Sequence, residues 1–301
     1  MERRSLFRIF AAGAGAAACA SRATASPAAV APRPDAEGLL VDVSLCIGCR
    51  ACVVACSNAN SLTPPRDAEG LHLAPPSLSA KTKNIVKLYQ GPDGQYAFVK
   101  QQCMQCVDPA CVAGCPMSAL LKGDRGIVRW NGDTCIGCRY CQIACPFNIP
   151  KFEWDQVNPE IVKCELCRTR LDEGKKPACV TVCPRAAVLH GKREELLATA
   201  RKRIAEHPGK YFENRIYGET EGGGTQTLYI SHVPFQAIGL PALTKESLPQ
   251  KVAKVQETIY QGFLTPVIAY GAIAAVMKKR WTHHEEEIRK EEEETGMRGQ
   301  L

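Results

Sequence analysis

The chain has 301 residues, 45% of them hydrophobic, and 38 lysines and arginines against 31 aspartates and glutamates leave a formal charge of +7. That length admits two domains and a buried core, and so modest a positive balance, part of it gathered at the two ends, gives no nucleic-acid footprint. The unusual residue is cysteine: there are 17, and all but Cys19 fall between Cys46 and Cys183.

The chain opens Met1-Glu2-Arg3-Arg4-Ser5-Leu6-Phe7-Arg8, followed by an apolar stretch rich in alanine and glycine from Ile9 to Ala20. That stretch is too short to span a bilayer, and its charged front reads as a signal peptide over 1–25, with Ala23-Thr24-Ala25 as the cleavage site. Arg3-Arg4 with Leu6-Phe7-Arg8 is a twin-arginine pattern, departing from the usual one at Glu2 and in the order Leu6-Phe7. Cys19 lies within the signal and is lost with it; a lipid-modified Cys19 is the alternative, but Ala16-Ala17-Ala18 lacks the leucine usual before such a site. Residues 26–38, rich in alanine and proline and without periodicity, read as an extended linker.

Residues 39–191 carry the cysteines in four groups. They read Cys46-x2-Cys49-x2-Cys52-x3-Cys56, Cys103-x2-Cys106-x4-Cys111-x3-Cys115, Cys135-x2-Cys138-x2-Cys141-x3-Cys145 and Cys164-x2-Cys167-x11-Cys179-x3-Cys183. Proline follows the last cysteine of every group but the first, where Ser57 stands. The third group is the bacterial ferredoxin run, whose thiolates hold [4Fe–4S] clusters. Three closely spaced cysteines wrap one corner of a cube, and the x3 gap, about one helical turn, carries the fourth sulfur away from its own loop. Four such groups imply four [4Fe–4S] clusters, sixteen cysteine ligands in all. Structural zinc pairs two C-x-x-C hooks and fits the triplet-plus-one grouping poorly. Disulfides suit an exported protein but do not explain runs this regular.

Around the cysteines, Leu39–Val43, Ile85–Leu88, Tyr96–Val99, Ile127–Trp130 and Ala187–Leu189 read as short strands, and Asp93-Gly94 as a hairpin turn. Residues from Ser57 to Thr82 read as an insertion. The fold class expected is α+β: tandem bacterial-ferredoxin-like modules, each with two [4Fe–4S] clusters, and a C-terminal transmembrane helix.

Residues 192–257 read as an extension and linker. Within it, Lys192–His207 is a charged helix with a solvated face and Thr227–Ser231 a strand. Glu221-Gly222-Gly223-Gly224-Thr225 lacks the lysine and hydroxyl residue of a phosphate loop. Residues 258–278 are uncharged and mostly apolar up to the basic run Lys278-Lys279-Arg280, and read as a membrane anchor whose far end stays cytoplasmic. Residues 279–301 then form a charged cytoplasmic tail, and the cluster domains lie on the periplasmic face of the inner membrane. His283-His284 reads as part of that solvated tail, not as a metal site.

The pattern resembles the four-cluster ferredoxin-like subunits of respiratory oxidoreductases, and most of all the iron–sulfur subunit of hydrogenase 2. The resemblance is carried by Leu45-Cys46-Ile47-Gly48-Cys49, Lys100-Gln101-Gln102-Cys103-Met104-Gln105-Cys106, Cys138-Arg139-Tyr140-Cys141, Lys163-Cys164-Glu165-Leu166-Cys167 and Glu221-Gly222-Gly223-Gly224-Thr225-Gln226. It implies a crossed ligand scheme. Cys103, Cys106, Cys111 and Cys145 would hold one cluster; Cys135, Cys138, Cys141 and Cys115 its neighbour; Cys46, Cys49, Cys52 and Cys183 a third; Cys164, Cys167, Cys179 and Cys56 the fourth. It also implies a chain with no catalytic residue. Such a chain takes electrons from the small subunit of a [NiFe] hydrogenase, whose large subunit splits hydrogen. It passes them to an integral membrane partner that meets quinone, itself anchored in membrane lipid. The alternatives are the same role beside a formate dehydrogenase or sulfur-compound reductase, and a non-redox metal-binding assembly protein. Arg50, Lys100, Arg139 and Lys163 adjoin ligands and either raise local potentials or are surface charges.

Overall fold

The computed structural model describes residues 30–63, 77–92, 94–154 and 160–298. The signal peptide expected over 1–25, with Cys19, lies outside the described residues, as do Asp93 and the middle of the insertion. Strand β1 (Glu37–Asp42) leads into the first cysteine loop and helix α1 (Ala51–Ala59). The hairpin of β2 (Asn84–Gln90) and β3 (Tyr96–Gln102) precedes the second loop, which enters α2 (Ala110–Ala113). A smaller hairpin, β4 (Leu120–Lys122) and β5 (Val128–Trp130), leads to the third loop and α3 (Tyr140–Ala144). The pair β6 (Lys151–Phe152) and β7 (Ile161–Val162) leads to the fourth loop, α4 (Arg168–Asp172), α5 (Ala178–Thr181) and β8 (Val188–Lys192). Helix α6 (Arg193–Glu206), β9 (Thr227–Ile230) and α7 (Leu248–Arg298) complete the order.

Strand pairing sorts the cysteine loops. Strand β1 runs antiparallel to β8, with Val41 opposite Val188, and parallel to β9 on its other side, with Leu40 opposite Leu228. Cys46 follows β1 after a short turn and Cys183 precedes β8 by another, so this pairing brings the first loop to the end of the fourth. Strands β4 and β5 pair with Leu120 opposite Trp130, which does the same for Cys115 and Cys135. The helices repeat the pattern: α1 packs on α5, and α2 on α3. The result is a ferredoxin-like unit built on the second and third loops, nested inside one built on the first and fourth.

Apolar burial holds these pairings. Leu39, Leu40 and Val41 are essentially inaccessible, each contributing about 1.5–3 kcal/mol by leaving water. A main core joins Leu39, Val41, Ile85, Val99, Met104, Ile127, Ile149, Tyr217 and Phe235. A smaller one, with Leu120, Val128, Phe152 and Ile161 around Cys111 and Cys141, belongs to the inner unit. Strands β1, β2, β5 and β9 match the aliphatic runs of the sequence within two residues at each end, and β3 and β8 run three residues past theirs. Strands β4, β6 and β7 were not expected, because two or three residues are too few to show a period.

The extension after residue 192 is part of this fold. Leu196, Leu197 and Ala200 of α6 pack with Leu40, Leu228 and Ile230 of the sheet. Its charges are not all solvated. Arg203 donates to the fully buried Asp42 at 2.9 Å, and Tyr211 donates to the same carboxylate at 3.0 Å. Arg193 is buried, and its guanidinium donates to the carbonyls of Thr225 and Glu219, each at 2.8 Å. It thereby fixes the glycine-rich segment over the second cysteine loop.

The C-terminal anchor is corrected. Residues 258–278 are helical, within α7, but among the described residues no helix is long and apolar enough to cross a membrane. Gln261, Thr265 and Pro266 dilute the segment. The run apolar throughout, Val267–Met277, covers about 17 Å of helix against a hydrocarbon core of about 30 Å. With the anchor go the transmembrane part of the expected fold class, the membrane-anchored role, the contact with membrane lipid, the periplasmic-face placement and the cytoplasmic reading of 279–301. The chain divides into a unit of Ala28–Lys251 and another containing Val252–Leu301, and all sixteen clustered cysteines belong to the first.

Candidate metal centres

The first and third loops share the pentapeptide Cys-Ile-Gly-Cys-Arg, at Cys46–Arg50 and Cys135–Arg139, and they share a conformation. Gly48 and Arg50 have φ of 71° and 60°, Gly137 and Arg139 φ of 68° and 64°. Two left-handed turns so close together wind the chain around a point, so that successive cysteines face one centre. At Gly48 the positive φ favours glycine, and a Cβ there would meet the Phe98 ring at 2.5 Å. The second and fourth loops use other left-handed residues, Gln105 in one and Leu166 with Cys167 in the other.

Among the described residues all sixteen cysteines are free thiols, and the fold sorts them into quartets that cross between loops. Cys46, Cys49, Cys52 and Cys183 line one cavity, walled by Val41, Val86 and Val188. Cys115, Cys135, Cys138 and Cys141 line another. Cys106 lies within electrostatic reach of Cys103, Cys145 and Cys111, and Cys56 of Cys164, Cys179 and Cys167. In every quartet three thiols come from one loop and the fourth from another. Among the described residues no group of three or more His, Cys, Asp or Glu side chains converges closely enough to hold a single ion. Thiols set around a cavity, not gathered on a point, suit a cube with an iron at four corners better than a lone zinc ion.

The quartets stand in a row. Cys141 senses Cys111 of the second-loop quartet, Cys103 of that quartet senses Cys164, and Cys179 senses Cys52. The succession therefore runs from the Cys115/135/138/141 quartet, through Cys103/106/111/145 and Cys56/164/167/179, to Cys46/49/52/183. Its two end quartets each contain an exposed cysteine, Cys138 and Cys49, whereas Cys103, Cys111, Cys164, Cys179 and Cys56 inside the row are buried. Apolar side chains surround both ends: Ile136, Tyr140 and Ile143 near Cys138, Ile47 and Val54 near Cys49.

Electrostatics follow from this burial. Desolvation pushes the Cys46 and Cys111 thiols up to about 11, and Cys103, Cys141 and Cys179 to about 12. Neighbouring sulfurs add to the rise, so these five thiols hold their protons at neutral pH and release them to metal. Hydrogen bonds soften the sites locally: the Ala119 amide donates to Cys115 Sγ at 3.3 Å, and the Asn60 side chain to Cys56 Sγ at 3.6 Å.

Four basic residues were singled out in the sequence, and the structure separates them. The Arg139 guanidinium lies over the rings of Trp154 and Phe152, at 3.8 and 4.3 Å from their centroids. Arg50 lines the Cys46 cavity. Lys163 is buried and donates to the carbonyls of Val128 and Cys164. Lys100 is 1% exposed. Gln105 stands in the Lys100–Cys106 run with no role read for it there, yet it ties two quartets together: its Nε2 donates to Cys164 O at 2.8 Å and its Oε1 accepts from the Val128 amide at 2.7 Å. The glycine-rich segment was set aside as a phosphate loop, and its work lies elsewhere. Gly224 O accepts from the Val107 amide at 2.9 Å, and the Thr227 hydroxyl donates to Cys103 O at 3.0 Å, clamping the second loop.

Comparison with known proteins agrees with this geometry. The 4Fe-4S dicluster domain family matches residues 94–193. The chain is 37% identical to hydrogenase-2 operon protein HybA of Escherichia coli O157:H7, over 95% of this chain and 98% of that protein. It is 35% identical to the nitrate-inducible formate dehydrogenase iron-sulfur subunit of Escherichia coli K12, over 78% of this chain and 80% of that one. It is likewise 35% identical to the formate dehydrogenase iron-sulfur subunit of Haemophilus influenzae, over 78% and 76%.

Proposed function

Because the chain belongs to the ferredoxin-like 4Fe-4S iron–sulfur subunits and is closely related to hydrogenase-2 HybA, we propose that it carries four [4Fe–4S] clusters. It relays electrons between a [NiFe] hydrogenase and a second redox partner. The chain is an electron-transfer subunit with no catalytic site of its own. The observation that carries the reading is the single row of cysteine quartets, buried in the middle and exposed at Cys49 and Cys138.

The roles of the residues follow. Each quartet holds its cluster by four thiolates, and the clusters supply one-electron uptake and release. The crossed fourth ligands, Cys56, Cys115, Cys145 and Cys183, lock each loop to another, so that the spacing of the row is set by the fold. Leu39, Ile85, Val99 and Ile127, in one core with Cys103, Cys164 and Cys179, keep water from the middle quartets, and water and hydrogen bonds at the sulfurs govern potential. The apolar rims around Cys138 and Cys49 are where partners approach: the small subunit of the hydrogenase on one side, and on the other an integral membrane subunit that meets quinone.

The same relay beside a formate dehydrogenase is the second reading, and the share of chain matched, 95% for the hydrogenase-2 relative against 78% for the formate dehydrogenase ones, favours the first. Hydrogen-dependent quinone reduction, measured with and without this chain, tests it. The expected result is loss of quinone reduction without the chain while the hydrogenase still reduces an artificial dye. Unchanged quinone reduction, or purification of the chain with a molybdenum enzyme and no nickel, contradicts it.

A further inference from the structure

Lys100 lies on β3, opposite Val86 of β2. Its side chain is 1% exposed, and its Nζ has no hydrogen-bond partner. That sets it apart from the other two lysines beside cysteine loops. Lys163 donates to two carbonyls, and Lys122 to the carbonyls of Cys106 and Val107, each at 2.6 Å. A buried ammonium without an acceptor is among the costliest groups a fold can keep.

What surrounds it is sulfur. Lys100 lines the cavity of Cys46, Cys49, Cys52 and Cys183. It also lies within electrostatic reach of Cys56, Cys167 and Cys179 in the adjoining quartet. Among the groups that face it are Cys52 from α1, Cys164 from the fourth loop, Cys179 from α5 and the Tyr229 hydroxyl from β9, and Arg50 and Arg185 line the same cavity. Burial works against its charge, and the sulfurs of Cys52, Cys164 and Cys179, which iron would hold as thiolates, favour it.

We propose that Lys100 is a fixed positive charge between the Cys46/49/52/183 and Cys56/164/167/179 clusters, holding both at higher reduction potential. This rests on the four-cluster reading. An electron entering either cluster adds negative charge without making or breaking a bond, and a nearby cation buried away from water favours that charge. In the next quartet along the row, Cys103 and Cys111 face Lys163 instead, whose ammonium already donates to two carbonyls.

An EPR-monitored redox titration of the full chain, loaded anaerobically with iron and sulfide, tests this, with mediator dyes supplying the electrons. In Lys100→Met, two of the four clusters are expected to become at least tenfold harder to reduce, a downward shift of about 59 mV for a one-electron couple. The other two stay in place, and Lys100→Arg retains the parent potentials. Four unshifted clusters in an iron-replete Lys100→Met chain would overturn the proposal. Should Lys100→Met fail to take up iron, Lys100→Gln carries the same comparison; loss of iron in both, with retention in Lys100→Arg, would give the lysine a folding role and also overturn it. A parent chain that itself binds fewer than four clusters contradicts the four-cluster reading instead, and iron content measured before titration separates the two failures.

Discussion

Replacing Cys56 and Cys164 together by alanine is expected to remove one cluster, about four irons, whereas replacing Cys52 and Cys56 together removes two, about eight irons. The contrast is counterintuitive from the sequence, since Cys52 and Cys56 sit one helical turn apart in α1 and Cys164 lies beyond two other loops. The fold reverses that proximity. Cys56 is surrounded by Cys164, Cys179 and Cys167, while Cys52 lines a cavity with Cys46, Cys49 and Cys183. Two substitutions within one quartet damage a single site, and two within one loop damage two sites. Iron and acid-labile sulfide per chain, measured on both variants, read the difference directly. If the Cys52/Cys56 variant lost only about four irons and the Cys56/Cys164 variant about eight, each loop would keep its own cluster and the crossed scheme would be wrong.

Gly38→Ala is expected to destabilise the chain by about 3 kcal/mol, the upper end for forcing atoms into a packed site, and to lower its thermal midpoint by about 6–12 °C. A Cβ at Gly38 would stand 1.9 Å from the Gln226 carbonyl oxygen and 2.9 Å from its carbonyl carbon. Those are backbone atoms, and neither neighbour has room to yield. The Leu39 amide donates to the same Gln226 oxygen at 2.9 Å, and on the other side Gly38 is paired with Gly191 of β8. Moving β1 to relieve the clash would undo the pairing that brings Cys46 to Cys183, so iron should be lost first from the Cys46/49/52/183 quartet. Differential scanning calorimetry with iron analysis checks this; a midpoint within about 1 °C of the parent would show that the β1–β9 contact tolerates a side chain.

Much of the fold was legible because the strands that matter are short aliphatic runs flanking cysteine loops. Leu39–Val43 and Ala187–Leu189 were visible as such, and their pairing as β1 and β8 closes the outer unit. The partnership between them was not visible, because register between strands so distant in the chain is set by packing and leaves no local periodicity. The same holds for the quartets. Spacing marks which residues are ligands of a kind, but Cys56 and Cys164 are brought together only by α1 packing on α5. Lys100 showed why charge alone is ambiguous: in sequence it is one of several basic residues beside cysteines, and only its burial separates it from Arg139, which rests on Trp154 and Phe152. The Gly222-Gly223-Gly224 run invited comparison with a phosphate loop, whereas its backbone serves to clamp the Cys103 loop. The segment 258–278 misled for a different reason. Helix formation and a basic flank are also features of a long surface helix, and the hydropathy that distinguishes a spanning helix is diluted here by Gln261, Thr265 and Pro266.

Metal analysis of the anaerobically purified full chain, joined to EPR of the same sample after reduction, bears most directly on the relay. A row of four cubes requires about sixteen irons with matching acid-labile sulfide, and reduced centres close enough to broaden one another's signals. Fewer than about twelve irons, or zinc in place of iron, would leave at least one quartet without its cube and break the row.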